Sequence, residues 1–181
     1  IEHMTLKPPI INIMTKAAYK AGNILIKDFR EVENLQVSKK GIGDFVTSAD
    51  LSSERTIIKI LQKGYPEIEV MSEETSSKTN LNKHEKIWII DPLDGTLNFL
   101  HGLPHFAISM ALMVKKEIIS GIIYDPIKDE LFWAEKGIGA FLNGKRIRVS
   151  ARSQLKDALI STGIPWKGME SSHKNYLKIL E

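Results

Sequence analysis

Apolar side chains near the start of the chain recur at helical rather than strand spacing. Ile10, Ile13, Met14, Ala17, Ala21, Ile24 and Leu25 fall on one stripe, with lysines elsewhere, so the pattern predicts an amphipathic helix over residues 10–29. Pro8 and Pro9 suit its first turn, where a missing N–H leaves nothing unsatisfied. The stretch Lys39-Lys40-Gly41-Ile42-Gly43-Asp44 reads as a flexible basic loop. Thr47-Ser48-Ala49-Asp50 then has the form of a capping box, opening a second helix that runs to about Tyr65, ahead of Pro66.

After Pro66 the period changes. Residues 69–72 and 87–90 read as short strands, and 106–114 and 117–124 as longer ones joined by a charged turn at Lys115-Lys116. Residues 130–135, 140–142 and 145–149 follow, the last two joined by Asn143-Gly144, a strong hairpin signal. Short connections imply antiparallel neighbours. The order implies an α+β fold, with two helices packed on one face of a mainly antiparallel sheet. Residues 158–162 read as the start of another strand and 171–181 as another helix. The chain stops on Leu180-Glu181 inside an apolar-periodic segment, with no capping signal.

Composition narrows this picture. A chain of 181 residues, 43% hydrophobic and 26% charged, suits one globular domain with a real core. No run approaches the roughly 18 apolar residues of a membrane span, and the first residues lack the pattern of a secretory signal. Ile1-Glu2-His3 ahead of Met4 read as a cloning scar, with the natural start at Met4. The net charge of +3 comes with lysines scattered at turns rather than gathered on one face, which argues against a nucleic-acid binder. With no cysteine, a metal must be held by oxygen or imidazole, and a cytoplasmic location is the default.

The candidate chemistry sits in Ile87-Trp88-Ile89-Ile90-Asp91-Pro92-Leu93-Asp94-Gly95-Thr96. A buried strand is followed by two carboxylates, and Pro92 is expected to end the strand and to leave the Leu93 carbonyl available. Gly95 permits a tight approach, and Thr96 begins a helical turn whose N–H groups suit an anion. Upstream, Ser72-Glu73-Glu74 closes another strand with two more carboxylates. If these ends converge, two charges 4 Å apart repel by about 4 kcal/mol at an effective dielectric of 20, which a proton or a cation must relieve. Oxygen ligands without sulfur favour Mg²⁺.

Singly, each residue has a plainer meaning. Asp94-Gly95 is a common turn, Glu73-Glu74 a solvated loop, Asp50 a helix cap, and His101 and His105 structural. The combination is what carries chemistry. Strand-Asp-x-Asp-Gly-Thr also opens the haloacid dehalogenase-type phosphatases, whose nucleophilic Asp lies two residues before the second. Here that position is Pro92, which cannot attack phosphorus.

Asp91-Pro92-Leu93-Asp94-Gly95-Thr96 instead resembles the metal-binding signature of the lithium-sensitive sugar phosphatase superfamily. The continuation Leu97-Asn98-Phe99-Leu100-His101-Gly102-Leu103-Pro104-His105-Phe106 is similar to its inositol monophosphatase branch. Ser72-Glu73-Glu74 resembles the family's Gly-Glu-Glu element, and Asp44-Phe45-Val46-Thr47-Ser48-Ala49-Asp50 its Asp-x-Val-Thr-x-x-Asp element. The resemblance implies a layered αβαβα sandwich and a Mg²⁺-dependent phosphomonoesterase. Glu73, Asp91 and the Leu93 carbonyl would hold a first Mg²⁺, and Asp91 and Asp94 would share a second. Glu73, Asp50 and Thr96 would form the catalytic set, Asp50 and Thr96 orienting the attacking water. Substrate contacts would come from Glu73, Leu93, Asp94, Gly95, Thr96 and Lys39, with the Gly95 and Thr96 N–H groups on the phosphate and the Lys39 loop closing over it.

The sequence departs from the family pattern downstream. The family carries a further Asp in a Trp-Asp motif, preceded by a Gly-rich substrate segment. Here Trp133 precedes Ala134 and Trp166 precedes Lys167, and the sequence ends before either element. Residues 4–181 are therefore expected to be one phosphatase domain cut short at its C-terminus and inactive alone. The resemblance points to myo-inositol monophosphate or a similar polyol phosphate as substrate, and to a homodimer; the composition points to no membrane and argues against a nucleic-acid partner. The alternatives are a 3′-phosphonucleotide, fructose bisphosphate or histidinol phosphate as substrate, against the first of which Leu97-Asn98-Phe99 argues, or a non-catalytic binding protein on the same fold.

Overall fold

The computed structural model describes residues 7–35, 42–72 and 84–161. Ile1–Arg148 forms one compact unit and Val149–Glu181 a second.

Helix α1 spans Pro9–Leu35. Its most buried line is Ile11, Met14, Ala18, Ala21, Leu25, Phe29 and Val32, at steps of three or four. Val32 continues the stripe, which is why the helix outruns the predicted end at Phe29. Helix α2 spans Ile42–Gly64 and takes in both the end of the predicted loop and the predicted capping box. Thr47 to Asp50 is thus helix interior, a correction with a clear cause. Val46, Ala49, Ser53, Ile57 and Leu61 are all buried at helical spacing, and that packing overrides the turn preference of Thr47 and Ser48, which lie on the exposed side.

Strands β1 (Glu69–Ser72), β2 (Lys86–Asp94), β3 (Ala107–Val114), β4 (Glu117–Asp125), β5 (Glu130–Glu135), β6 (Gly139–Leu142) and β7 (Lys145–Ile147) form one sheet in chain order. A short helix α3, Thr96–Leu100, sits between β2 and β3. β1 and β2 are parallel, and each later pair is antiparallel. Two turns hold both central residues in the left-handed region: Lys115-Lys116 between β3 and β4, and Asn143-Gly144 between β6 and β7.

α1 and α2 cover one face of the sheet, burying Trp88, Ile90, Met110, Leu112, Ile122 and Leu131. α1 approaches closely at Gly22, where an added Cβ would lie 2.6 Å from the Tyr124 ring. The opposite face carries a row paired across all seven strands: Met71, Ile89, Ala111, Gly121, Ala134, Ala140 and Ile147. The molecule is therefore α+β, a helix pair on a mixed, mainly antiparallel sheet.

In the second unit the described residues are exposed, with one 3₁₀ turn at Leu155–Asp157. The strand expected over 158–162 is absent among its described residues. Leu159 is 95% and Ile160 68% exposed, and neither pairs with a strand. The helix expected over 171–181 lies outside the described residues.

Candidate active site

β2 leaves its regular pairing after Asp91. Asp91 opposes Ser109 and Asp94 opposes Ala107, so three steps on β2 match two on β3 and one extra residue is held as a bulge. The strand does not stop at Pro92, as the sequence leads one to expect, but passes through it to Asp94. A bulge tolerates a residue with no N–H, and burial of Leu93, 2% exposed, draws the chain back onto the core. Ser109 and Ala107 lie two apart on β3 and share a face, so Asp91 and Asp94 share it too. It is the face opposite the helices.

Three backbone groups at the bulge find side-chain partners. The Leu93 N–H donates to Asp91 Oδ1 at 3.2 Å. The Pro92 carbonyl accepts from Ser53 Oγ at 2.9 Å, and the Leu93 carbonyl accepts from Thr96 Oγ1 at 3.0 Å. Buried backbone groups need such partners, so these bonds fix the bulge rather than decorate it.

The turn after it is equally constrained. Gly95 has φ +91, and a Cβ there would lie 3.0 Å from the His105 carbonyl oxygen. A side chain there would be strained by conformation and crowded against the His105 backbone. The Phe99 N–H donates to the Gly95 carbonyl at 3.0 Å. Asn98 Nδ2 donates to the His105 carbonyl at 2.7 Å, closing the loop between α3 and β3. Underneath, Phe99 packs edge-on against Phe106 at 4.9 Å and Phe29 of α1 at 5.4 Å. That aromatic cluster seats α3 on the core. His101 and His105 are exposed, and it is the backbone of His105 that serves the loop.

α2 contributes a buried polar line. Asp50 is 5%, Ser53 0% and Glu54 2% exposed, all on the inward side of the helix. Ser53 touches Pro92, and Asp50 lies one turn before it. Beyond Asp94, a recess of about 370 Å³ is bounded by Gly95, Asn98, His105, Asp125 and Lys128. Burial there would raise the Asp125 carboxyl, but the Lys128 ammonium at 2.7 Å and the Lys128 and Ile127 amides hold it below the ordinary carboxylate range.

The structure therefore gathers Asp91, Leu93, Asp94, Gly95 and Thr96 into one bulge and turn. Asp50 lies on the buried side of α2, one turn before Ser53. Glu73 and Lys39 lie outside the described residues. Ser72, which precedes Glu73 in the chain, pairs with Ile90 in the parallel register of β1 and β2. Ser53 and Phe29 were missed by sequence reasoning. For Ser53 the available signal was its i+3 spacing from Asp50, on the face that also carries Ile57.

Among the described residues no three His, Cys, Asp or Glu side chains form a metal cluster. What is present is two carboxylates on one face, Asp91 and Asp94, and the Leu93 carbonyl at the bulge between them. These are hard oxygen donors with no nitrogen or sulfur, a set that fits Mg²⁺ completed by at least one further ligand.

The family model for the inositol monophosphatase family matches residues 7–180. The chain belongs to that family. The inositol-1-monophosphatase of Rhizobium meliloti (strain 1021) is 48% identical over 168 residues, which are 93% of this chain and 62% of that protein. A protein named Nus factor SuhB from Haemophilus influenzae is 43% identical over 159 residues, 88% of this chain and 59% of its own length. Among solved structures, extragenic suppressor protein suhB from Bartonella henselae superposes with a TM-score of 0.81 at 46% identity, covering 96% of this chain and 66% of that one. The inositol monophosphatase from Anabaena matches with a TM-score of 0.68 at 35% identity, covering 80% and 51%. The chain spans less than two thirds of the length of the curated relatives it matches.

Proposed function

We propose that the full-length protein is a Mg²⁺-dependent phosphomonoesterase that hydrolyses myo-inositol monophosphate, or a similar small polyol phosphate, to the alcohol and inorganic phosphate. The observation that carries this reading is the β2 bulge, which sets Asp91, Asp94 and the Leu93 carbonyl together in a chain of the inositol monophosphatase family. Asp91, Asp94, the Leu93 carbonyl and Glu73 would hold the ions. When bound, Mg²⁺ would supply an activated water and neutralise charge on the transferred phosphoryl group.

The protein's own groups do the positioning. Thr96 Oγ1, tied to the Leu93 carbonyl, and Asp50 orient the water for in-line attack. The Gly95 and Thr96 N–H groups would bind the phosphate oxygens, and Lys39 would add a cation to them. Phosphate monoesters hydrolyse very slowly unaided, so positioning and charge neutralisation account for most of the acceleration. The same reading makes the protein a cytoplasmic, lithium-sensitive homodimer whose 181-residue portion is inactive alone. No helix among the described residues is long and apolar enough to cross a membrane.

Asp91→Asn in the full-length protein should reduce phosphate release from inositol monophosphate by at least about 10³-fold, or ~4 kcal/mol of transition-state stabilisation. Circular dichroism and melting temperature should stay close to the parent's. Parental activity in that variant would sink the assignment. Parallel rates on a 3′-phosphonucleotide, fructose bisphosphate and histidinol phosphate decide the substrate.

A second reading is supported by the relatives named Nus factor SuhB, at 40–43% identity. On it the same fold serves a partner-binding role. Millimolar Mg²⁺ giving no calorimetric heat with the full-length protein would favour that role over catalysis.

A further inference from the structure

The Ser53 hydroxyl and the Asp91 carboxylate grip opposite ends of one peptide unit. Ser53 Oγ donates to the Pro92 carbonyl oxygen at 2.9 Å, and the N–H of that same peptide, on Leu93, donates to Asp91 Oδ1 at 3.2 Å. Pro92 and Leu93 fall in the bulge, where the ladder to β3 cannot fix this plane. Ser53 comes from another element, 39 residues earlier, and is wholly buried, so no water competes for its hydroxyl. Hydrogen bonds in series through an amide polarise one another, so a donor at the carbonyl strengthens the N–H as a donor.

We propose that Ser53 is a positioning residue that orients the Asp91 carboxylate through the Pro92–Leu93 peptide, and so sets the affinity of the site for Mg²⁺. The proposal rests on the reading of Asp91 as a metal ligand. Ser53 touches neither metal nor substrate. Its effect passes through one peptide plane, which also links the buried side of α2, carrying Asp50, to the face that carries Asp91 and Asp94. Groups hydrogen-bonded directly to metal ligands commonly change affinity by about 10–100-fold when removed, and Ser53, one peptide further out, belongs at the low end of that range.

The test uses the full-length protein with Ser53→Ala and Ser53→Thr. Alanine is the best helix former, so the first variant should fold, and threonine retains the hydroxyl. Calorimetric titration with MgCl₂ should show the dissociation constant about tenfold weaker for Ser53→Ala and within about twofold of the parent for Ser53→Thr. In the metal-free protein, the Leu93 amide should exchange its hydrogen faster in Ser53→Ala than in the parent. In assays, the Mg²⁺ concentration for half-maximal rate should rise while kcat at saturating Mg²⁺ falls by less. Equal Mg²⁺ affinity and equal Leu93 exchange in parent and Ser53→Ala would overturn the role of Ser53 and leave the phosphatase reading standing. A parent that binds no Mg²⁺ would overturn both, a result visible before any variant is made.

Discussion

The two helices on the covered face of the sheet bury different things. α1 lays down an apolar line, Ile11, Met14, Ala18, Ala21 and Leu25, every member 0% exposed. α2 buries Ile57 and Leu61 at one end but Asp50, Ser53 and Glu54 in its middle. Taking polar and charged groups out of water costs free energy that apolar side chains in the same places would not. A helix that accepts that cost where it meets the β2 bulge is shaped by more than stability. α1 buries an apolar stripe, whereas α2 also brings Ser53 onto the β2 bulge.

If the contrast is real, changes on the two helices should separate activity from stability. The largest effect on turnover should be Asp50→Asn, lowering kcat of the full-length protein by about 10²-fold with the melting temperature little changed. A large loss of stability with normal turnover per folded molecule would erase the distinction. Next, Leu25→Ala should cost about 3 kcal/mol in denaturant unfolding and leave kcat/KM per folded molecule near the parent's. A smaller effect comes from a buried carboxylate whose partners are on view. Asp125 is held below its ordinary range in the folded protein, so its contribution to stability is present above about pH 4 and fades as pH falls through the lowered value. Urea midpoints at pH 5 and pH 3 should differ less in Asp125→Asn than in the parent. Equal pH dependence in both would mean that Lys128 does not stabilise the folded charge.

The same contrast explains what is legible in the sequence. α1 is readable because its burial is apolar except at Thr15, so spacing alone locates it. The start of α2 misleads because Thr47, Ser48 and Asp50 mimic a cap, and polar residues at buried positions hide the stripe that Val46 and Ala49 continue. The hairpins are readable through their turns, Asn143-Gly144 above all. The motif from Asp91 to Thr96 stands out as chemistry, yet its shape does not. A proline suggests a stop, while the ladder to β3, set by residues well away in sequence, carries the strand onward as a bulge. Ser53 is only half legible for the same reason. Its i+3 spacing from Asp50 puts it on the buried face of α2, but its hydrogen bond to a carbonyl 39 residues away has no local signature.

The bulge also bears on how this stretch could tolerate change. Side chains along a strand obey a parity rule: even separations share a side and odd ones oppose. Asp91 and Asp94 are separated by an odd number, and the one surplus residue between them restores agreement. Removing Leu93 alone would leave two aspartates separated by an even number, still on a common side, if the ladder then closed without its bulge. It would also delete the carbonyl between them and the N–H that steadies Asp91. Inserting one residue while the single bulge is kept would put the two charges out of phase. The spacing is thus a count that must match a defect in the pleat, so single-residue insertions and deletions here should be far less forgivable than substitutions.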